Sequence, residues 1–510
     1  MNSDNTTVNN KLIAKNAIFL YIRMIIIMLI TLFTSREILR VLGIDDFGIY
    51  NVVGGIVVLF SFLNTALVSS SQRFLSFELG KGESGEIKKT FGICLTTHFL
   101  IVGLIVLIAE TIGLWFVLNE LNIPDDKMTA VSYVYQFSVA TFVLNVLRIP
   151  YNSVIIAYER MDFYAYVSII ESVLKLVVVY LLLISDIEYL IFYSFLLLIV
   201  SLIVLIVYYI FVRLKFKSCR YEFEWDRDAF VSMVSFSGWS MLGGMSNVAA
   251  HQGGNILLNI YSSLSANASF GVANQVSQAV YAFSSNLQVA FNPQIIKQYS
   301  IGNMSELYKL TFRSSLASYY MMLIFAVPFV FNADYILGIW LTEVPSFAPG
   351  FCIIMILYQL VDAIQAPINT LIHATGIIKN YYIWLSALIF LCLPVSWFFL
   401  LMGFSAYVVV LIRLINNVVT AVIRVFYMNA VIAFPTRAYL KDVVLKSTIV
   451  TIMSVVFAYF LTLVISDNVI FNITITIIGL FFICLFFGFN NDDRHEILLL
   501  MRKKLNFKHV

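Results

Sequence analysis

The chain has 510 residues, of which 61% are hydrophobic and only 12% charged, with a formal net charge of +3; its mean hydropathy is +0.91. Soluble domains carry about 25% charged residues, so a chain this apolar cannot cover a water-facing surface, and a soluble enzyme is excluded. Long apolar runs, in place of weak alternation, exclude a β-barrel and make this an all-α polytopic membrane protein.

Fourteen stretches approach or exceed the roughly 20 residues that cross a bilayer. In chain order they are 12–35, 47–69, 91–118, 128–149, 163–184, 189–212, 229–260, 265–292, 311–332, 350–372, 380–402, 404–423, 444–465 and 468–488. The first follows a polar start (MNSDNTTVNN) and is too long for the apolar core of a signal peptide. It holds Arg23 at mid-span, which must face a neighbouring helix or a water-filled cavity. A guanidinium there fits a phosphate in fork geometry, or a structural pair with Glu171 or Asp362. Span 3 contains Glu110, close enough to one end to snorkel. Span 4 ends at Arg148, which can snorkel to headgroups. Span 5 carries Glu171 and Lys175 four residues apart, hence on one helical face; they form either a self-neutralising pair or a cavity wall for an anion or a coupling cation. Span 7 presents Trp239, Gly243, Asn247, His251 and Asn255 at four-residue intervals, and span 8 adds Asn274, Gln275, Gln278, Asn286 and Gln288. Such amides and aromatics either line a sugar path or glue helices together. Span 10 contains Asp362, a candidate titrating group. Span 12 contains Arg413 beside Asn416 and Asn417. Pro150, Pro328, Pro367 and Pro394 fall in or at the ends of spans and predict kinks.

Lys and Arg test the count. With the N-terminus inside, and with Lys15, Arg148, Arg313 and Lys446 at inner span ends counted as inner, 26 of the 32 fall on the inner side, three in outer loops and three deeper within spans. That asymmetry satisfies the positive-inside rule and predicts an even number of spans with both termini cytoplasmic. Long inner segments include 213–228 and 424–443. The tail 489–510 reads as an amphipathic helix on the inner leaflet or as a solvated basic tail.

Two regions repeat. Residues 150–166 match 367–383 at Pro150/Pro367, Asn152/Asn369, Ala157/Ala374 and Tyr164/Tyr381; residues 47–53 match 270–276 at Phe47/Phe270, Gly48/Gly271, Asn51/Asn274 and Val53/Val276. The offsets, 217 and 223, cover six spans, and an even number preserves orientation. The expected organisation is therefore an N-lobe of helices 1–6 (1–213), a parallel C-lobe of helices 7–12 (214–435), and helices 13–14 with a basic tail (436–510).

Motifs for chemistry are scarce. No nucleotide-binding P-loop, HExxH or GxSxG occurs, and the acidic pairs at 45–46, 125–126 and 492–493 lie in loops or the tail. The five cysteines include no CxxC and read as buried inert thiols. No catalytic residue, metal site, cofactor or nucleic-acid partner is expected.

The stretch SREILRVLGIDDFGIYNVVGGIVVLFSFLNTALVSSSQRFLSFELGKG (35–82), with WLTEVPSFAPGF (340–351) and ATGIIKNYY (374–382), resembles the polysaccharide-transporter branch of the MOP (MATE-like) superfamily, Wzx-type O-antigen flippases in particular. The resemblance implies a two-lobed flippase in the bacterial inner membrane. It would move undecaprenyl-pyrophosphate-linked oligosaccharides by alternating access, with spans 13 and 14 as a groove for the lipid tail. Membrane lipids, a polysaccharide polymerase and other glycan-assembly proteins are the partners it implies. Members have a cationic central cavity, which Arg23 fits, whereas few other cations lie within the spans. The cavity candidates are Arg23, Glu171, Lys175, Asp362, Arg413, Asn247, His251 and Asn255. Directionality would come from an H+ or Na+ gradient, through Glu171 or Asp362, or from consumption of the product outside. A MATE-type drug or metabolite antiporter is the alternative of the same fold. A membrane glycan polymerase or ligase is disfavoured by the short outer loops.

Overall fold

The computed structural model describes residues 15–491, except 32, 35–36, 39, 43–60, 83–84, 120–126, 185–187, 224, 342–343 and 465–467, together with Arg494. The acidic pairs, most of span 2, the first member of the 47–53 repeat and most of the tail lie outside the described residues.

All regular secondary structure among the described residues is helical. Residues 15–31 form α1. They are followed by α2 (Ser61–Gly80), α3 (Ile87–Asn119), α4 (Met128–Ala157), α5 (Met161–Leu182), α6 (Tyr189–Lys215) and α7 (Arg227–Tyr261). Next come α8 (Leu264–Ser300), α9 (Met304–Phe331), the short α10 (Ala333–Trp340), α11 (Ala348–Thr375), α12 (Lys379–Leu401) and α13 (Tyr407–Ile432), and last α14 (Thr436–Val464) and α15 (Val469–Gly488). Among the described residues ten helices are long and apolar enough to span a bilayer: α3–α6, α9 and α11–α15. The chain is a multi-pass membrane protein. Helices α7 and α8 are longer but carry the amide-rich stripes, so their apolarity falls short although their length does not.

The chain divides into two compact units. Among the described residues one begins at Lys15 and ends at Gly244, the other begins at Met245, and the division falls within α7. In the first unit α4 is central, packing on α2, α3 and α6, while α5 packs on α6. Its core joins Leu75, Phe91, Ile155, Val204 and Tyr208 in one cluster and Ile105, Val134, Tyr135 and Val146 in another. In the second unit α8, α9 and α11 pack together, α13 lies on α11 and α12, and α14 and α15 rest on α9.

Helix α13 shows the inverted pattern that lipid imposes. Its buried positions include Asn417, Thr420 and Arg424, whereas Ile415, Val422 and Phe426 are exposed at 50% or more. In water the apolar face would be inside; in hydrocarbon the polar face must find partners within the protein.

Wide turns interrupt α3, α14 and α15 at Ala109–Gly113, Leu440–Leu445 and Cys484–Gly488. Two of them receive a tyrosine. The Tyr135 hydroxyl donates to the Ala109 carbonyl at 2.7 Å, and that of Tyr320 to the Gly488 carbonyl at 3.2 Å. The Ala109 carbonyl also accepts the Leu114 amide, so the tyrosine is its second donor, whereas the Gly488 carbonyl ends its helix and has no later turn to supply one.

The repeat at offset 217 extends to the backbone. Helices α4 and α11 each contain the matched proline, and each ends in a short turn before the next helix. At the matched position of that turn stand Glu159 (φ 58°) and Gly376 (φ 75°), both left-handed. Such a φ is routine for glycine and uncommon for glutamate. All five cysteines are buried and unbridged. Cys219, between α6 and α7, has its thiol pushed up to about 12 by burial, which keeps it protonated and inert.

Candidate functional site

Each unit holds one cluster of intramembrane charges. In the first unit α1, α4, α5 and α6 contribute. The Arg23 guanidinium lies 4.5 Å from the centre of the Tyr164 ring. Arg148, on α4, donates to Glu171 at 2.8 Å, and Lys175 donates to the other oxygen of the same carboxylate at 2.8 Å. Arg148 also lies 5.8 Å from the Tyr208 ring. The sequence suggests that Arg148 snorkels; instead α4 continues to Ala157, so Arg148 stays inside the helix and meets Glu171. One carboxylate thus holds two cations. A cation over an aromatic face gains roughly 0.5–2 kcal/mol, which helps to keep arginine within a span.

In the second unit the charges lie along the α11–α13 contact as a ladder. Residues Arg413, Asn417 and Arg424 follow one face of α13, and Tyr358, Asp362, Gln365 and Asn369 follow one face of α11. Arg413 stands 5.7 Å from the Tyr358 ring and 5.9 Å from Phe270 on α8; its buried Nη1 has no hydrogen-bond partner among the described residues. Asn417 donates to the Tyr358 carbonyl at 2.9 Å and accepts from Gln365 at 2.6 Å. Arg424 Nη1 lies 4.0 Å from Asp362, while its Nε donates to the Tyr381 hydroxyl at 2.7 Å, which in turn donates to Asn369 at 3.0 Å. Tyr164 and Tyr381, matched in the repeat, are each the aromatic partner of an arginine.

The sequence places Arg424 in the inner segment 424–443, but α13 runs to Ile432. An arginine is compatible with either place, and only the helix length decides. Arg73 is a second cation that the span limits hide: α2 extends to Gly80, and the Arg73 guanidinium lies 4.5 Å from the Phe74 ring and 5.7 Å from Phe236.

The amide stripes divide between two roles. Asn286 and Gln288 bond within α8, to the Ala282 carbonyl and the Ser284 hydroxyl. Gln359 and Thr370 tie α11 to Ser277 and Asn292 of α8 at 2.8 Å each. His251 hydrogen-bonds to Asn274 and packs 5.5 Å from the Phe270 ring, which places it in the Arg413 neighbourhood. Asn255 receives Asn267 on its backbone carbonyl at 3.1 Å, and Asn247 is exposed. Glu110 accepts from Gln136 at 3.0 Å near the end of α3.

No protein-family model and no curated protein sequence matches this chain. Solved structures do. A multidrug resistance MATE family transporter of the MOP superfamily, in an outward-facing conformation, superposes with a TM-score of 0.69 at 12% identity over 82% of this chain and 95% of that one. A point mutant of the Vibrio cholerae MATE transporter VcmN gives 0.68 at 14% over 84% and 99%. A MOP superfamily transporter from Pyrococcus furiosus, described as having a binding pocket of reverse polarity, gives 0.64 at 14% over 83% and 96%. The chain therefore has the MATE-type transporter fold.

Proposed function

We propose that this protein is a flippase. It moves a polyprenyl-pyrophosphate-linked oligosaccharide across the bacterial inner membrane by alternating access, with no covalent step on the substrate. One observation carries the reading: in the two intramembrane clusters, Arg23, Arg148, Lys175, Arg413 and Arg424 stand against only Glu171 and Asp362, and aromatic rings hold several of the arginines. Arg23 over Tyr164 and Arg413 over Tyr358 and Phe270 are the main examples. Each cluster carries a net positive charge, which repels a cationic drug and attracts a pyrophosphate. A sugar-pyrophosphate headgroup cannot cross hydrocarbon unaided, and guanidinium forks are suited to phosphate. The P. furiosus transporter, described as having a pocket of reverse polarity that suggests a different function, supports the idea that pocket polarity varies within this fold.

A second reading, an ion-coupled antiporter, is favoured by Asp362. Its carboxylate faces Arg424 at 4.0 Å, beyond direct hydrogen-bond distance, which leaves room for a proton or Na+ to compete. The two readings combine if a gradient drives the flippase.

The test is a deletion strain complemented with wild type, Arg23→Ala or Arg413→Ala, with expression verified. Loss of surface glycan, with lipid-linked repeat units trapped inside and rescued only by wild type, supports the flippase. Unchanged surface glycan with altered sensitivity to cationic drugs supports the antiporter.

A further inference from the structure

A second site lies in the first unit, away from its charge cluster. Between α6 and α7 the chain is not helical, and over residues 220–225 (RYEFEW) aromatic and charged residues alternate. This segment contributes the consecutive residues Arg220, Tyr221 and Glu222 to one cavity. Two ion pairs fasten it to the start of α3: Lys88 to Glu222 at 2.6 Å and Lys89 to Asp226 at 2.9 Å. The segment closes one end of a cavity of about 410 Å³, which also receives Phe91 and Phe99 of α3, Tyr151 of α4, and Tyr209 and Arg213 of α6.

The walls are aromatic. Tyr151 meets Phe91 edge-on at 5.6 Å and Tyr209 edge-on at 5.8 Å, and Tyr221 meets Phe99 at 6.1 Å. The lining charge is positive. Glu222 is already paired with Lys88, whereas Arg220 forms no ion pair among the described residues, and Arg213 donates to the Tyr209 hydroxyl. Of the lining aromatics, Phe99 and Tyr221 are exposed at 48% and 44%, and Phe223 and Trp225, further along the segment, at 69% and 56%. Exposed aromatics at the ends of spanning helices mark the membrane–water interface. The same end carries Lys215, Lys217 and Arg227 as well, which by the positive-inside rule is the inner leaflet.

We propose that this cleft binds the phosphate headgroup of an anionic lipid from the surrounding leaflet. Arg213 and Arg220 bracket the phosphate, the tyrosine hydroxyls meet the polar headgroup, and the acyl chains lie along the exposed aliphatic faces of α3 and α6. Leu104 and Leu107 on α3 and Ile206 and Ile210 on α6, each exposed at 44–60%, provide that surface. A soluble anion would use the arginines but leave the aromatic mouth in contact with nothing, so the adjoining apolar surface favours a lipid. The site is independent of what the protein transports.

The experiment titrates the purified full chain in mixed micelles with phosphatidylglycerol or phosphatidylcholine, counting retained lipid by native mass spectrometry. Each basic side chain near an anionic leaflet strengthens binding about fivefold. The double variant Arg213→Gln/Arg220→Gln is therefore expected to lose about tenfold or more of phosphatidylglycerol affinity and to leave phosphatidylcholine unchanged. Both side chains are exposed, so the variant should fold, with Tm as the check. Arg220→Lys is expected to keep most of the affinity, and Lys309→Gln, an exposed charge in the other unit, all of it. Equal retention of the two lipids by wild type, an unchanged double variant, or an equal loss in Lys309→Gln would overturn the proposal. Inorganic phosphate binding as tightly as phosphatidylglycerol would overturn it in favour of a soluble-anion site.

Discussion

Among single residues, Glu171 shows how one carboxylate can govern two cations. It is half-buried, and both of its oxygens accept charge-assisted bonds, from Arg148 and Lys175. Removing its charge leaves the two cations facing each other inside a span. Glu171→Gln is expected to cost about 2 kcal/mol, read as a lowered Tm in detergent, whereas Lys175→Gln, which removes the more exposed cation, should cost less than about 1 kcal/mol. Outside the spans, Asp226 is held below the usual carboxylate range, chiefly by the Ala229 amide and then by Lys89. A carboxylate whose folded pKa is depressed contributes stability above its ordinary pKa and loses it as pH falls through the folded value. Asp226→Asn should therefore lower Tm at neutral pH, and the gap from wild type should close as pH falls below the ordinary value of 3.8. A gap that persists in acid would assign the effect to shape instead of charge. The types and spacing of these residues are legible in the sequence, but their partners are not. Glu171 and Lys175 share a helix, so their pairing can be read from an interval of four. Arg148 lies on a different helix, and nothing local reveals that it completes the trio.

Among the elements, the turn within α3 depends on one close approach. A Cβ on Gly113 would collide with the Tyr135 hydroxyl, which gives the Ala109 carbonyl a second donor beside the Leu114 amide. Tyr135→Phe is expected to cost about 1 kcal/mol through the lost bond. Gly113→Ala should cost more, about 2–3 kcal/mol, because the ring must move as well. Thermal unfolding of the two variants checks the order. The turn after α11 makes the complementary case. Gly376 occupies a left-handed conformation that costs an L-residue about 1–2 kcal/mol, so Gly376→Ala should destabilise by that amount. The helices themselves are legible in the sequence: the limits 444–465 and 468–488 for the last two spans stand beside helices Thr436–Val464 and Val469–Gly488. Helix ends are less legible. Apolarity stops at the headgroups, whereas backbone hydrogen bonding continues past them, and for that reason α4 and α13 extend beyond the apolar runs to include Pro150 and Arg424.

For the molecule as a whole, the chain has the MATE-type fold and two units, each with its own charged cluster, and under the function proposed above those clusters are what substrate and ion would meet. If Asp362 couples transport to a gradient, Asp362→Asn should abolish the dependence of flipping on an imposed H+ or Na+ gradient in proteoliposomes while leaving downhill exchange in place. Arg424→Gln should shift the ion dependence, because it removes the cation that competes for the same carboxylate. Transport that stays gradient-dependent in Asp362→Asn would exclude this carboxylate as the coupling group.

The class, the approximate span limits and the repeat can all be read without coordinates, because each depends on patterns along one chain: apolar length, charge asymmetry, and matched Pro, Asn and Tyr at a fixed offset. The α11–α13 ladder and the Arg148–Glu171–Lys175 trio cannot, since they arise only when helices pack. An arginine at a span end satisfies hydrocarbon equally well by reaching water, an acid or a ring. Which of the three it reaches depends on the helix beside it, and that neighbour is chosen by contacts between residues far apart in the chain.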